Sequence, residues 1–138
     1  MTRAFFFRAA LFAACALAAG CGKPQEPPCP VSGQILVNNK PATGLYVALY
    51  PAGAADGQPS AGSARTGKDG SFALQVPAPG EYAVTVFWPQ AVADKDAGET
   101  LEGEDYFKGR FRNPQQPVQK VTVNAGDNAL PPIKVKFP

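Results

Sequence analysis

Residues 67–88 read GKDGSFALQVPAPGEYAVTVFW, and their alternation decides the fold class. Phe72, Leu74 and Val76 fall on one side of a two-residue period, with Ser71, Ala73 and Gln75 on the other. After Pro77-Ala78-Pro79-Gly80 turns the chain, Tyr82, Val84, Val86 and Trp88 face one way and Glu81, Ala83, Thr85 and Phe87 the other. That is the period of half-buried β-strands. Gly67-Lys68-Asp69-Gly70 just before it is a hairpin signal, because Asp-Gly fits the left-handed turn positions.

The same rhythm extends in both directions. Upstream, Val31, Gly33, Ile35 and Val37 share a face, and Asn38-Asn39-Lys40-Pro41 reads as a turn. Leu45, Val47 and Leu49 then alternate with Tyr46, Ala48 and Tyr50, and Pro51 ends that strand. A Gly/Ala/Pro-rich loop follows to Ala61, with a short strand over 62–66. Downstream, Val121 and Val123 form one strand, Ala125-Gly126-Asp127-Asn128 a turn, and Ile133, Val135 and Phe137 a last strand. No window after the first thirty residues holds a helical period. The expectation is an all-β domain over 31–138: a seven-stranded antiparallel, Ig-like β-sandwich, of about the 100 residues that such a fold takes. Residues 89–117 show no clear alternation and read as one long loop. Loops above about 12–15 residues are usually functional or disordered.

The start of the chain concerns location. Arg3 and Arg8 flank Phe5-Phe6-Phe7, an apolar run continues to Ala19, and Leu17-Ala18-Ala19-Gly20-Cys21 ends it. This is the layout of a secretory signal. The run is shorter than the roughly 20 residues needed to span a bilayer. A cysteine directly after Ala-Gly resembles the lipobox of bacterial lipoproteins, in which that cysteine is acylated and becomes the mature N-terminus. Residues 1–20 are then a signal peptide and Cys21 the lipidation site, carrying palmitate. The rival is cleavage near Ala16-Leu17-Ala18, which releases a soluble protein. Gly22, rather than Asp, after the cysteine favours an outer membrane, with the domain facing the periplasm. GKPQEPPCP over 22–30 favours extended polyproline II, so residues 21–30 read as a tether.

Composition narrows the rest. Taking Arg3 and Arg8 away from 13 basic residues leaves 11, against 11 acidic ones. Nucleic acid, which asks for a clustered basic surface, is therefore not an expected partner. With Cys15 in the signal and Cys21 lipidated, Cys29 has no intramolecular disulfide partner. It is either an idle thiol in the tether or the site of an intermolecular bridge. The sequence contains no histidine, which removes Ser-His-Asp and Cys-His catalysis and histidine-bearing zinc sites.

Four segments in order resemble carboxypeptidase-regulatory-like domains. PVSGQILVNNKPATGLYVALYP is similar to their opening V-x-G-x-V, turn, G-K-P and G-A-x-V-x-L. TGKDGSFAL resembles T-D-x-x-G-x-F-x-L, and VPAPGEYAVTV resembles P-x-G-x-Y-x-V-x-V. DYFKGRFRNPQQPVQKVTVNAGDNALPPIKVKF is similar to the tails of lipoproteins of planctomycete-like bacteria. The resemblance implies a transthyretin-like sandwich and no reaction, since fold alone does not give function. Two enzymes with related sandwiches are not expected here. Hydroxyisourate hydrolases use histidines and a terminal Tyr-Arg-Gly-Ser, where this sequence has Lys136-Phe137-Pro138. Intradiol dioxygenases bind iron through histidines and tyrosines.

Two clusters within 89–117 are candidate sites. Asp94, Asp96, Glu99, Glu102, Glu104 and Asp105 are either a solvated loop, answered by Lys108, Arg110 and Arg112, or oxygen ligands for Ca²⁺. Their spacing does not fit an EF-hand, and no metal or cofactor is expected. Trp88, Phe107 and Phe111, with Phe87 and Tyr106, either pin the loop to the sandwich or form a platform for sugar or a protein partner. The expected function is a lipid-anchored, non-enzymatic cell-envelope protein, acting as a structural or protein-interaction module. The alternatives are a carbohydrate- or ligand-binding module using loop 89–117, and an accessory domain to an enzyme on another chain. The expected partners are the membrane, through the lipid, and an envelope protein or glycan.

Overall fold

A computed structural model describes Gly20, Gly22 and residues 24–138 of the chain. The signal segment and Cys21 lie outside the described residues. Residues 24–28 are exposed and carry no regular structure. The strands are β1 (Cys29–Val37), β2 (Lys40–Pro41), β3 (Tyr46–Pro51), β4 (Gly62–Arg65), β5 (Ser71–Val76) and β6 (Gly80–Phe87). They continue as β7 (Pro89–Ala93), β8 (Thr100–Asp105), β9 (Gln119–Val123), β10 (Asn128–Ala129) and β11 (Ile133–Val135). The described residues include no helix, so none is long and apolar enough to cross a membrane.

Alternation sets the core. β5 buries Phe72, Leu74 and Val76 and exposes every residue between them. β1 buries Cys29, Val31, Ile35 and Val37, and β3 buries Val47 and Leu49. These side chains meet Tyr82, Val84 and Val86 of β6, Val121 and Val123 of β9, and Ile133 and Val135 of β11 in one cluster. Two sheets therefore pack face to face as a sandwich, each contributing its apolar side. Burying a side chain of this size is worth about 1.5–3 kcal/mol.

In the first sheet β1 is the spine. β5 runs antiparallel along its first half, from Cys29↔Val76 to Gln34↔Ser71. β2 folds back on its second half through Val37↔Lys40. Asn38 and Asn39, at φ 50° and 65°, make the two-residue turn between them, as type I′ geometry requires. β10 and β11 pair with β1 in parallel, through Val31↔Asn128 and Ile35↔Ile133. The second sheet is antiparallel, in the order β4-β3-β6-β9.

Four expectations change. The first sheet is mixed rather than antiparallel, because the tail returns across the molecule and lies alongside β1 in the same direction. Residues 89–117 are not simply a loop: β7 and β8 form an antiparallel hairpin there, with Val92 opposite Leu101. Cys29 belongs to β1 and the core, at 1% exposure, rather than to the tether, which withdraws its thiol from an intermolecular bridge.

The fourth concerns Gly67–Gly70, where the turn forms but its flanking strands part company. Thr66 accepts the Leu45 N–H (2.9 Å) and donates to the Ala42 carbonyl, fastening the end of β4 to the second sheet. Ile35 N–H donates to the Gly70 carbonyl (2.8 Å), fastening the start of β5 to the first. Gly70 holds φ +74°, and a Cβ there would stand 2.6 Å from the Ile35 carbonyl oxygen. Inside the turn, Asp69 accepts from the Ser71 hydroxyl and N–H, which holds its carboxyl below the usual carboxylate range.

The sheets approach closely at Gly62 of β4, where a Cβ would run into the backbone carbonyl of Gln75 in β5. Neither backbone can retreat without giving up its own ladder. Gly62→Ala is expected to cost about 1–3 kcal/mol in urea unfolding, as overpacking does. Gly67→Ala, where the nearest atom to a Cβ is 3.6 Å away, is expected to stay within about 0.5 kcal/mol. Equal effects at the two positions would show that the close approach is not a constraint.

Candidate functional site

Two side-chain clusters follow from the strand order, one at an end of the sandwich and one on a sheet face. The first is built by Asp105, the last residue of β8. Its Oδ1 accepts the N–H of Trp88 (3.0 Å) and of Phe107 (3.1 Å), and its Oδ2 accepts the N–H of Gly109 (2.9 Å). One carboxylate thus ties the exit of β6 to the turn after β8. Lys108 there adopts φ 53°, and Tyr106 N–H donates to the Trp88 carbonyl at 2.7 Å.

This knot delivers Phe107 into the end of the core. Phe107 is 0% exposed. Its ring centroid lies 5.1 Å from that of Phe111, 5.4 Å from Phe137, 5.6 Å from Tyr106 and 6.0 Å from Trp88. Most of these pairs are edge-to-face, the favoured arrangement for aromatic rings. Trp88 is half-buried and donates its Nε1–H to the Thr43 carbonyl at 3.0 Å. Phe111 is half-buried too, with Arg110 over its ring at 5.6 Å. Of the expected ligand surface, then, Phe107 is not a surface residue at all. The structure brings Trp88, Phe107 and Phe111 together as a plug, because Asp105 turns the chain inward after β8.

The second cluster lies on the outer face of the second sheet. Tyr46 of β3 and Phe87 of β6 are cross-strand partners, with ring centroids 5.8 Å apart and nearly parallel. Arg65 lies over Tyr46 at 5.1 Å and Arg112 over Phe87 at 4.4 Å. The result is a column: guanidinium, phenol, phenyl, guanidinium. Glu102 on the β7–β8 hairpin closes one side. Its Oε1 accepts the Tyr46 hydroxyl (2.7 Å) and pairs with Arg65 (3.3 Å). The hydrogen bond to Glu102 raises the pKa of the Tyr46 hydroxyl above its ordinary value, because ionisation would lose the bond and set two negative charges together. A groove of about 260 Å³ runs beside this column.

The acidic residues of 94–105 are dispersed by these duties. Asp94 accepts the N–H groups of Asp96 (2.9 Å) and Ala97 (3.3 Å) in the hairpin loop, Glu102 faces Tyr46, and Asp105 holds the knot. Among the described residues no three His, Cys, Asp or Glu side chains converge on a point where a metal could sit. The arrangement offers recognition groups: ring edges, hydroxyls, one ion pair and a stacked guanidinium. No motif in the sequence marks Tyr46, Arg65 or the separate role of Asp105. The signal for Tyr46 lay in the outward register of β3, where Tyr46 and Tyr50 stand on the solvent side.

No family model matches the chain, and no curated protein matches it. Among solved structures it is similar to a 9R-lipoxygenase from Cyanothece PCC8801, at 16% identity and a TM-score of 0.47, over 82% of this chain and 17% of that one. It is also similar to a DUF3823 family protein from Parabacteroides merdae, at 20% identity and a TM-score of 0.43, over 80% of this chain and 46% of that one. A third is the dioxygenase domain of a dioxygenase carbohydrate-binding protein fusion from the cellulolytic bacterium Streptomyces sp. SirexAA-E, at 19% identity, a TM-score of 0.39 and 85% coverage of both chains. The chain thus spans less than half the length of the first two.

Phe107→Ala removes the ring on which the plug is centred and is expected to cost about 3–5 kcal/mol in denaturant unfolding, with a shift in Trp88 fluorescence. Tyr106→Ala, at a residue 39% exposed, is expected to cost far less. A Phe107→Ala effect under about 1 kcal/mol would return that ring to the surface.

Proposed function

We propose that this chain is a lipid-anchored, non-enzymatic module of a bacterial cell envelope, acylated at Cys21 and facing the periplasm from the outer membrane. Its sandwich serves structure or protein interaction. The observation that carries the reading is the order Leu17-Ala18-Ala19-Gly20-Cys21, then a Pro-rich stretch, then the first strand at Cys29. Residues 24–28 are exposed and without regular structure, which suits a spacer between a lipid and a folded domain. A buried Cys29 also leaves Cys21 as the cysteine suited to acylation downstream of the signal.

Within this reading the sandwich is a carboxypeptidase-regulatory-like, transthyretin-like domain. Support comes from the turns that carry the resemblance. Asp69-Gly70 makes the step between sheets, and Gly80 opens β6 at φ +151°. An accessory role beside an enzyme on another chain is the form of protein interaction that the resemblance favours. The reading is tested by labelling cells with a palmitate analogue and separating membranes. Label and membrane association are expected in the full chain and in Cys29→Ser, and both are lost in Cys21→Ser. Label retained by Cys21→Ser, or a full chain released to the soluble periplasm, overturns the anchor.

A further inference from the structure

We propose that the groove on the outer face of the second sheet binds a uronic-acid-type saccharide, a pyranose ring bearing a carboxylate. The groove is formed by Tyr46 and Tyr50 of β3, Thr85 and Phe87 of β6, Glu102 of the hairpin, and Arg112. Its volume of about 260 Å³ is slightly below the usual range for small-molecule pockets, about 300–1,000 Å³, and suits a small ligand or a short piece of a longer one.

Charge decides the class. Arg65 and Glu102 neutralise each other, and Glu102 is further engaged by the Tyr46 hydroxyl. Arg112 has no carboxylate within ion-pair distance among the described residues. The groove therefore carries one unanswered positive charge. The Arg112 guanidinium carbon sits over the Phe87 ring, 4.4 Å from its centroid, and a ring contact of this kind uses none of the guanidinium N–H groups, which stay open to an anion. Two of them match the two oxygens of a carboxylate.

Backbone pairing decides between sugar and peptide. β3 is paired on both sides, by β4 and β6, and β6 is paired by β3 and β9. The groove floor therefore has no free strand edge, and an extended peptide cannot be held by main-chain hydrogen bonds as in strand addition. Recognition falls to side chains, and these suit a polyhydroxylated ring. The Tyr46 hydroxyl gives its proton to Glu102, so its lone pairs can accept from a ligand hydroxyl. Both Glu102 contacts use Oε1, which leaves Oε2 as a second acceptor. The site differs from the plug at Trp88, Phe107 and Phe111, and it stands or falls independently of the lipid anchor.

The test is calorimetric titration of the full chain in detergent with a galacturonate trisaccharide, a neutral galactose trisaccharide and a glutamate-rich peptide. Binding is expected for the galacturonate ligand and at least tenfold weaker for the other two. Arg112→Gln is expected to weaken galacturonate binding at least tenfold, as loss of a charge-assisted bidentate contact does, with an unchanged melting temperature. Ala48→Phe, which fills the groove and keeps the guanidinium, is expected to abolish it. Absent binding of galacturonate, equal affinity for the neutral sugar or for the peptide, or unaltered binding by either variant overturns the proposal.

Discussion

Strand β1 is the element on which the others depend. Over nine residues it pairs with β5, β10, β2 and β11, and it supplies four core side chains. Its first half is flanked by β5 and β10, and its second half by β2 and β11. The parallel partner β11 comes from the far end of the sequence, so the core closes only when the tail returns. Asn38 secures that return. Its N–H donates to the Val135 carbonyl (2.9 Å), its Nδ2 donates to the Phe137 carbonyl (2.7 Å), and its Oδ1 accepts the Phe137 N–H (3.0 Å). The side-chain amide thus continues the ladder one residue beyond the strand. It also places Phe137 against Phe107, which links the β1 end to the aromatic plug.

Much of this was legible in the sequence because one face of each main strand is apolar and the other is not. Phe72, Leu74 and Val76, and likewise Val121 and Val123, could belong only to a half-buried strand. The Asn38-Asn39 turn was legible because few residue types tolerate two successive left-handed positions. Pairing was not legible in the same way. Alternation says which side chains point inward, but it does not say which strand lies alongside. Gly67–Gly70 carries the signature of a hairpin, yet hydrogen bonds from Thr66 and Ile35 send its two flanks to different sheets.

The hairpin within 89–117 escaped for a different reason. Val92 and Leu101 are each 50% exposed, and most of β7 and β8 is in contact with solvent on both faces. A strand with no buried face leaves no hydrophobic period, and the register shift between Pro89 and Ala91 blurs what remains. Asp105 was hidden among acidic neighbours because its role lies in three backbone N–H groups, two of them local and one from Trp88. The aromatic residues were visible, but composition does not separate a ring that closes a core from one that lines a groove. Phe107 does the first, and Tyr46 and Phe87 the second.

The chain therefore divides its work by position. The β1-centred sheet and the plug fix the body, and the β7–β8 hairpin brings Glu102 over the outer face of the other sheet. Native-state hydrogen exchange tests the dependence on β1 most directly. The amides of Ile35 and Asn38 should exchange only through global unfolding, with free energies equal to that of denaturant unfolding, while Val92 and Ala93 exchange orders of magnitude faster. Exchange of Ile35 and Asn38 at the rate of the hairpin, with the second sheet still protected, would contradict the account.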